Sequence, residues 1–143
     1  MAILKDNVVV NASLDKVWSL LTSPDAIKQW LTDIRVTGTE GNYPAVGSGL
    51  TWEYKIAGIT LKGNLTVKAL EPGKHIAYEI TGLLTGTQNW DVSGDAGGVR
   101  VDVTNNYQLN AGVIGKVAAP ILDQTTTATL KKSLAGLKQM AEK

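Results

Sequence analysis

The chain has 143 residues, 14 basic and 13 acidic side chains, a net charge of +1, one histidine and no cysteine. These numbers exclude disulfides, thiolate nucleophiles and cysteine-ligated metals, and any metal site that needs several imidazoles. They also leave no basic field to hold a phosphate backbone, so no nucleic-acid partner is expected.

The length suits one domain, residues 1–143, with one core. There is no Phe, yet there are four Trp and four Tyr. Aromatic bulk here carries N–H and O–H groups, and each wants a partner when buried. The first residues, Met1 to Asp6, lack the apolar run of a signal peptide, and no stretch approaches a transmembrane segment. A soluble, cytoplasmic protein is the expectation.

Val8, Val9 and Val10 form a β-branched run closed by Asn11, which predicts a first strand. Ser13 is placed to cap a short helix through Leu21, with Val17, Trp18 and Leu21 on its apolar side. Ser23-Pro24 restarts the pattern, serine as cap and proline at the first helical position. That second short helix carries Ile27, Trp30 and Leu31. Two short helices joined so tightly form a corner.

From Ile34 the apolar period changes to two. Ile34 to Glu40 predicts a strand, and the glycine-rich stretch from Gly41 to Gly49 a loop. Leu50, Trp52, Tyr54 and Ile56 then share one face. After the Ala57-Gly58 turn, Leu61, Gly63, Leu65, Val67 and Ala69 share it. Glu71-Pro72-Gly73-Lys74 is a strong turn. Ile76, Tyr78 and Ile80 follow, then a turn over Gly82 to Gly86. Gln88, Trp90 and Val92 lead to the turn Gly94 to Gly98. Val99, Val101, Val103, Asn105, Tyr107 and Leu109 complete the series. This is a meander of hairpins with one apolar and one wet face, about seven strands in all.

The apolar face needs a cover. Pro120 to Glu142 is the long helical period: Leu122, Thr126, Leu130, Leu134, Leu137 and Met140 fall in one arc, with Thr129 and Ser133 inside it. Pro120 suits a first helical position. The late half of the arc is ordinary core. The early half is threonine-rich, which fits either a roomy, slightly polar surface above it or a poorly optimised helix.

A strand, two short helices, a strand meander and a long last helix resemble the helix-grip fold. The chain is similar to the START-like or SRPBCC superfamily, on its polyketide cyclase/dehydrase and lipid-transport branch. The resemblance rests on Val8-x-Val10-x-Ala12-Ser13, Val17-Trp18-x-x-Leu21-Thr22-x-Pro24 and Trp30. Val46-Gly47-Ser48, Leu70-Glu71-Pro72-Gly73-Lys74 and Leu134-x-x-Leu137-Lys138 add to it. It implies an α+β fold, in which a curved antiparallel sheet wraps the C-terminal helix. It does not choose a function, because members include carriers, hormone receptors, aromatase/cyclases and chaperone regulators.

The resemblance also implies a cavity between the sheet's concave face and the early half of the last helix. Strand parity then nominates its lining as Trp52, Tyr54, Leu65, Val67, Tyr78, Ile80, Gln88, Trp90, Val103, Asn105 and Tyr107. The helix would add Leu122, Thr125, Thr126 and Thr129, and the corner Trp30. Gln88 and Asn105 on an otherwise apolar face argue for water or a ligand between them, since a buried amide is costly without partners. The inward ionisable groups are Tyr54, Tyr78 and Tyr107, and tyrosine is a poor general base at neutral pH. His75 opens a strand with outward parity. Leu83 and Leu84 stand between glycines at a hairpin tip, and with Ile59 they could form an apolar lid or a static plug.

The expectation is a carrier or sensor of a small hydrophobic molecule, with no catalytic residue, metal or cofactor. An aromatase/cyclase-like enzyme and a ligand-free interaction module are the alternatives. A monomer or weak homodimer is expected.

Overall fold

The computed structural model describes residues 2–31, 33–56, 58–82, 84–95, 97–109 and 119–143. In chain order the elements are β1 (Ala2–Val10), α1 (Leu14–Thr22), α2 (Pro24–Trp30), β2 (Ile34–Glu40) and β3 (Gly49–Ile56). They continue with β4 (Ile59–Glu71), β5 (His75–Gly82), β6 (Leu84–Asp95), β7 (Gly98–Leu109) and α3 (Ala119–Ala141). One 7-stranded antiparallel sheet has the order β1-β7-β6-β5-β4-β3-β2. The fold is the curved-sheet, long-helix architecture expected from the sequence.

Local chemistry sets the corner. The Lys16 backbone N–H donates to Ser13 Oγ at 3.2 Å, and the Ala26 N–H to Ser23 Oγ at 3.4 Å. Each serine so satisfies one of the orphan donors of a helix start. Pro24 occupies the first turn of α2, where a missing N–H costs nothing.

The first strand is longer than the valine run suggested. Ala2 to Asn7 pair with Tyr107 to Asp102 on β7, although they show no clean alternation. Pairing with the full length of β7 supplies what local pattern does not.

A second difference lies in β4, where the register with β5 shifts between Val67 and Ala69. The extra residue of a β-bulge reverses parity beyond it. Ala69 therefore faces water and Leu70 packs against the core.

The core has two parts. The larger joins the helical corner to the late half of α3 through Val17, Leu21, Ile27, Trp30, Leu130, Leu134 and Leu137. The smaller gathers Trp52, Tyr54, Leu61, Ile80, Leu84 and Tyr107 on the sheet. Gly136 lets α3 sit against α2, because a Cβ there would stand 2.9 Å from the Trp30 carbonyl oxygen. At the helix end, Lys138 Nζ donates to the Val9 carbonyl at 2.8 Å, and the Asn11 N–H donates to Glu142 Oε2 at 2.8 Å. These bonds tie α3 to the end of β1.

Candidate functional site

Between the two parts of the core lies a cavity of about 130 Å³. The sheet contributes Trp52, Tyr54, Leu65, Tyr78, Ile80, Gln88, Trp90, Asn105 and Tyr107. The helix α3 contributes Thr126 and Thr129, and Trp30 closes the corner side. All of these were nominated from strand parity, helical period and the resemblance.

Val67 and Val103 are corrections. Both have inward parity, but each is sealed in the larger core and does not border the cavity. Parity assigns a face; it does not say where along the face the packing closes. Thr125 is half-buried and also stands off the cavity. The side chain of Leu122 lies outside the described residues.

Sequence reasoning missed another wall. Leu21, Ile27 and Leu31 from the corner, Ile34 and Val36 from β2, and Leu50 from β3 all border the cavity, as do Ile76, Leu130 and Ser133. Most of these are apolar positions that local pattern alone assigns to ordinary core. For Leu50 the signal was present, since it shares its face with Trp52 and Tyr54.

Of the three lid residues, Leu83 and the side chain of Ile59 lie outside the described residues. Leu84 is described. It stands on β6 opposite Leu109 of β7, is buried, and borders the cavity. It occupies a paired strand position and not a free loop tip. The expected turn over Gly82 to Gly86 is thus mostly strand: Gly82 ends β5 and Leu84 begins β6.

The tyrosines around the cavity are tethered. Tyr54 OH lies 2.8 Å from Thr129 Oγ1, and Tyr107 OH lies 2.6 Å from Thr126 Oγ1. Thr129 Oγ1 donates onward to Asp33 Oδ2 at 3.4 Å, and Lys132 Nζ donates to Asp33 Oδ1 at 2.9 Å. The threonines of α3 are therefore hydrogen-bond partners for sheet tyrosines, which neither reading of that helix had specified. Tyr78 is bonded to the hydroxyl of Tyr43, and their rings stack with centroids 6.5 Å apart. Tyr43 comes from the loop before β3, and its hydroxyl also donates to the Leu21 carbonyl at 3.3 Å.

Burial pushes Tyr43 up to about 12. Burial raises Tyr78 well above its ordinary value, and the neighbouring Tyr43 adds to that. Tyr54 is raised too, by burial first and then by the Asp33 charge, against the Thr129 hydrogen bond. These phenols hold their protons at neutral pH and act as hydrogen-bonding groups, not bases. Among the described residues no carboxylate, imidazole, ammonium or guanidinium borders the cavity. His75 lies away from it, with Nδ1 2.8 Å from Asp91 Oδ1.

The tryptophans divide. Trp30 Nε1 donates to the Leu20 carbonyl at 2.8 Å, and Trp90 Nε1 to Gln88 Oε1 at 2.8 Å. Trp30 and Trp90 meet edge to face, with centroids 5.7 Å apart. Trp52 Nε1 is buried and has no hydrogen-bond partner; neither has Asn105 Oδ1. Such groups cost about 1–3 kcal/mol each when left dry.

A curved antiparallel sheet gripping a long helix over an internal apolar cavity defines the class of helix-grip proteins. The sequence profile of the polyketide cyclase/dehydrase and lipid transport family matches residues 1–142, so the chain belongs to that family. A search of curated protein sequences found no match. Among solved structures, the Zhui aromatase/cyclase from a Streptomyces species is similar, with a TM-score of 0.79 and 16% identity over 99% of this chain and 93% of that one. A Thermus thermophilus protein, TTHA0849, gives a TM-score of 0.79 and 14% identity over 96% and 95% of the two chains. The Aha1 dimer from Colwellia psychrerythraea gives 0.70 and 18% identity over 99% and 97%. At such identities the likeness is one of fold.

Proposed function

We propose that this protein carries or senses a small hydrophobic ligand held between the sheet and α3. The observation that supports this reading best is the cavity itself, apolar over most of its wall and placed inside the core. A packed interior leaves few voids larger than a water molecule, and each void sacrifices contacts. A cavity of about 130 Å³ in an otherwise dense core fits a binding role better than a packing fault. Membership of a family whose description includes lipid transport points the same way.

An aromatase/cyclase-like activity draws support from the likeness to the Zhui enzyme. That chemistry would need a group able to take a proton from the substrate. Among the described residues the ionisable side chains bordering the cavity are tyrosines, and for Tyr54 and Tyr78 burial works against giving up the proton. The carrier or sensor reading is preferred for that reason. The cavity also weighs against a ligand-free interaction module, which would gain nothing from a hollow core.

Native mass spectrometry of freshly purified protein tests the proposal. A co-purified small apolar compound, released on unfolding, is the expected result. Absence of any bound mass, together with no change in tryptophan fluorescence across a panel of apolar ligands, would overturn it.

A further inference from the structure

We infer that the cavity takes a neutral, single-ring aromatic compound carrying both a hydrogen-bond acceptor and a hydrogen-bond donor. This rests on the binding role proposed above and goes on to name the chemical class.

Size comes first. An apolar cavity of roughly 150 Å³ takes up benzene, whereas pockets for drug-sized ligands run to about 300–1,000 Å³. At about 130 Å³ the space suits one six-membered ring with small substituents. A multi-ring compound requires the walls to move.

Charge comes second. Among the described residues no cationic side chain borders the cavity to compensate a carboxylate, and no anionic one to compensate an amine. An uncompensated charge carried into such a site costs far more than a neutral polar group. The ligand is therefore neutral. Trp30, Trp52, Trp90, Tyr54, Tyr78 and Tyr107 border the space, and aromatic walls favour a planar ring, offset or edge-on.

Polarity comes third. Most of the polar groups at the cavity are already satisfied within the protein. Tyr54 and Tyr107 are bonded to threonines, Tyr78 to Tyr43, and Trp90 to Gln88. Among the described residues two buried atoms at the cavity are not: Trp52 Nε1, which can only donate, and Asn105 Oδ1, which can only accept. Both residues border the cavity, and Trp52 is 6% exposed. Native proteins rarely leave such atoms unpaired, and each one that is calls for an explanation; beside a cavity, a bound ligand supplies one. An acceptor on the ligand answers Trp52, and a donor answers Asn105. Hydroxyaryl ketones have both.

Calorimetric titration at about pH 6, where the phenols are neutral, tests the inference with 3- and 4-hydroxyacetophenone, acetophenone, ethylbenzene and naphthalene. At least one hydroxyacetophenone isomer should bind best. Each hydrogen bond removed should weaken binding by up to about tenfold, through acetophenone to ethylbenzene. Trp52→Phe and Asn105→Leu should each erase one step of that series. Asn105→Leu should also raise the melting temperature of the unliganded protein, because an unpaired buried polar atom is gone; Trp52→Phe is read by binding alone, since it also removes packed ring atoms. If ethylbenzene binds as tightly as the hydroxyacetophenones, the polar match is wrong and the binding role stands. If naphthalene binds best, the size argument is wrong and again the binding role stands. If none of the five binds, this inference falls, and the native mass spectrum then decides the binding role independently. The ligand series on the unaltered protein is decisive even where a variant folds poorly.

Discussion

Tyr54 on β3 and Thr129 on α3 share a hydrogen bond of 2.8 Å between their hydroxyls, inside the structure and beside the cavity. It fixes the early half of α3 over the sheet at a place where apolar packing is interrupted. Thr129 passes its own proton toward Asp33, so Tyr54 acts as the donor to Thr129. Tyr54→Phe should lower stability by about 1 kcal/mol, and Thr129→Val by somewhat more, since it orphans the tyrosine hydroxyl. A double-mutant cycle in urea should give a coupling of roughly 0.5–1.5 kcal/mol. Strict additivity would show that the bond contributes nothing to holding the helix.

The Tyr43–Tyr78 pair makes a prediction about pH. Burial holds Tyr43 near 12, against 10.0 for the free side chain, and Tyr78 is raised in the same direction. Between those values the unfolded chain has lost protons that the folded protein keeps. Stability then falls as pH rises. The contribution is fully present below about pH 10 and is lost as pH climbs through the folded values. Urea midpoints should therefore decline from about pH 10 to 12. Tyr43→Phe should reduce the decline. An unchanged alkaline slope in that variant would remove the pair from the explanation.

Much of this architecture was legible because its signals are local. The switch from helical spacing to alternation at Ile34, the turn at Pro72-Gly73 and the serine caps each act over a few residues. The hairpins then follow almost without choice. What could not be read is where local patterns meet. The bulge near Lys68 exchanges Ala69 for Leu70 without interrupting the alternation that precedes it. Nothing in Gly41 to Gly49 announces that Tyr43 folds back onto Tyr78. The corner residues Leu21, Ile27 and Leu31 look like core because they are apolar. Only the angle between the corner and the sheet makes them cavity wall. The polar lining, by contrast, was visible early: Gln88 and Asn105 conflict with their apolar neighbours, and they pair opposite each other on β6 and β7.

Gly63 should tolerate no side chain. It pairs with Trp52 across β3 and β4. A Cβ there would come within 2.4 Å of Trp52 Cζ2 and 2.3 Å of the Thr81 carbonyl oxygen. The indole can shift, but the backbone oxygen cannot yield cheaply, so the strands themselves have to move apart. Gly63→Ala should cost roughly 1–3 kcal/mol, the usual range for overpacking, and alter tryptophan fluorescence. Retention of both stability and spectrum would mean the sheet can flex enough at this point to accept a methyl group.

Leu84 gives the last test, of wall against lid. Gly86 pairs with Ile80 on β5 and Tyr107 on β7, so the strand is held from both sides just beyond Leu84. Amides from Leu84 to Gly86 should exchange slowly in the free protein and change little when ligand binds. A low protection in the free state that rises sharply with ligand would instead support a lid. Substitution supplies the second measure. Leu84 is buried against Tyr107 and Ile80 and borders the cavity. Leu84→Ala should therefore cost about 2–5 kcal/mol and enlarge the space by part of the volume removed. Naphthalene should bind that variant more tightly than the unaltered protein. Were Leu84 a mobile cover, its truncation would hardly affect stability and would speed the release of every ligand, whatever its size.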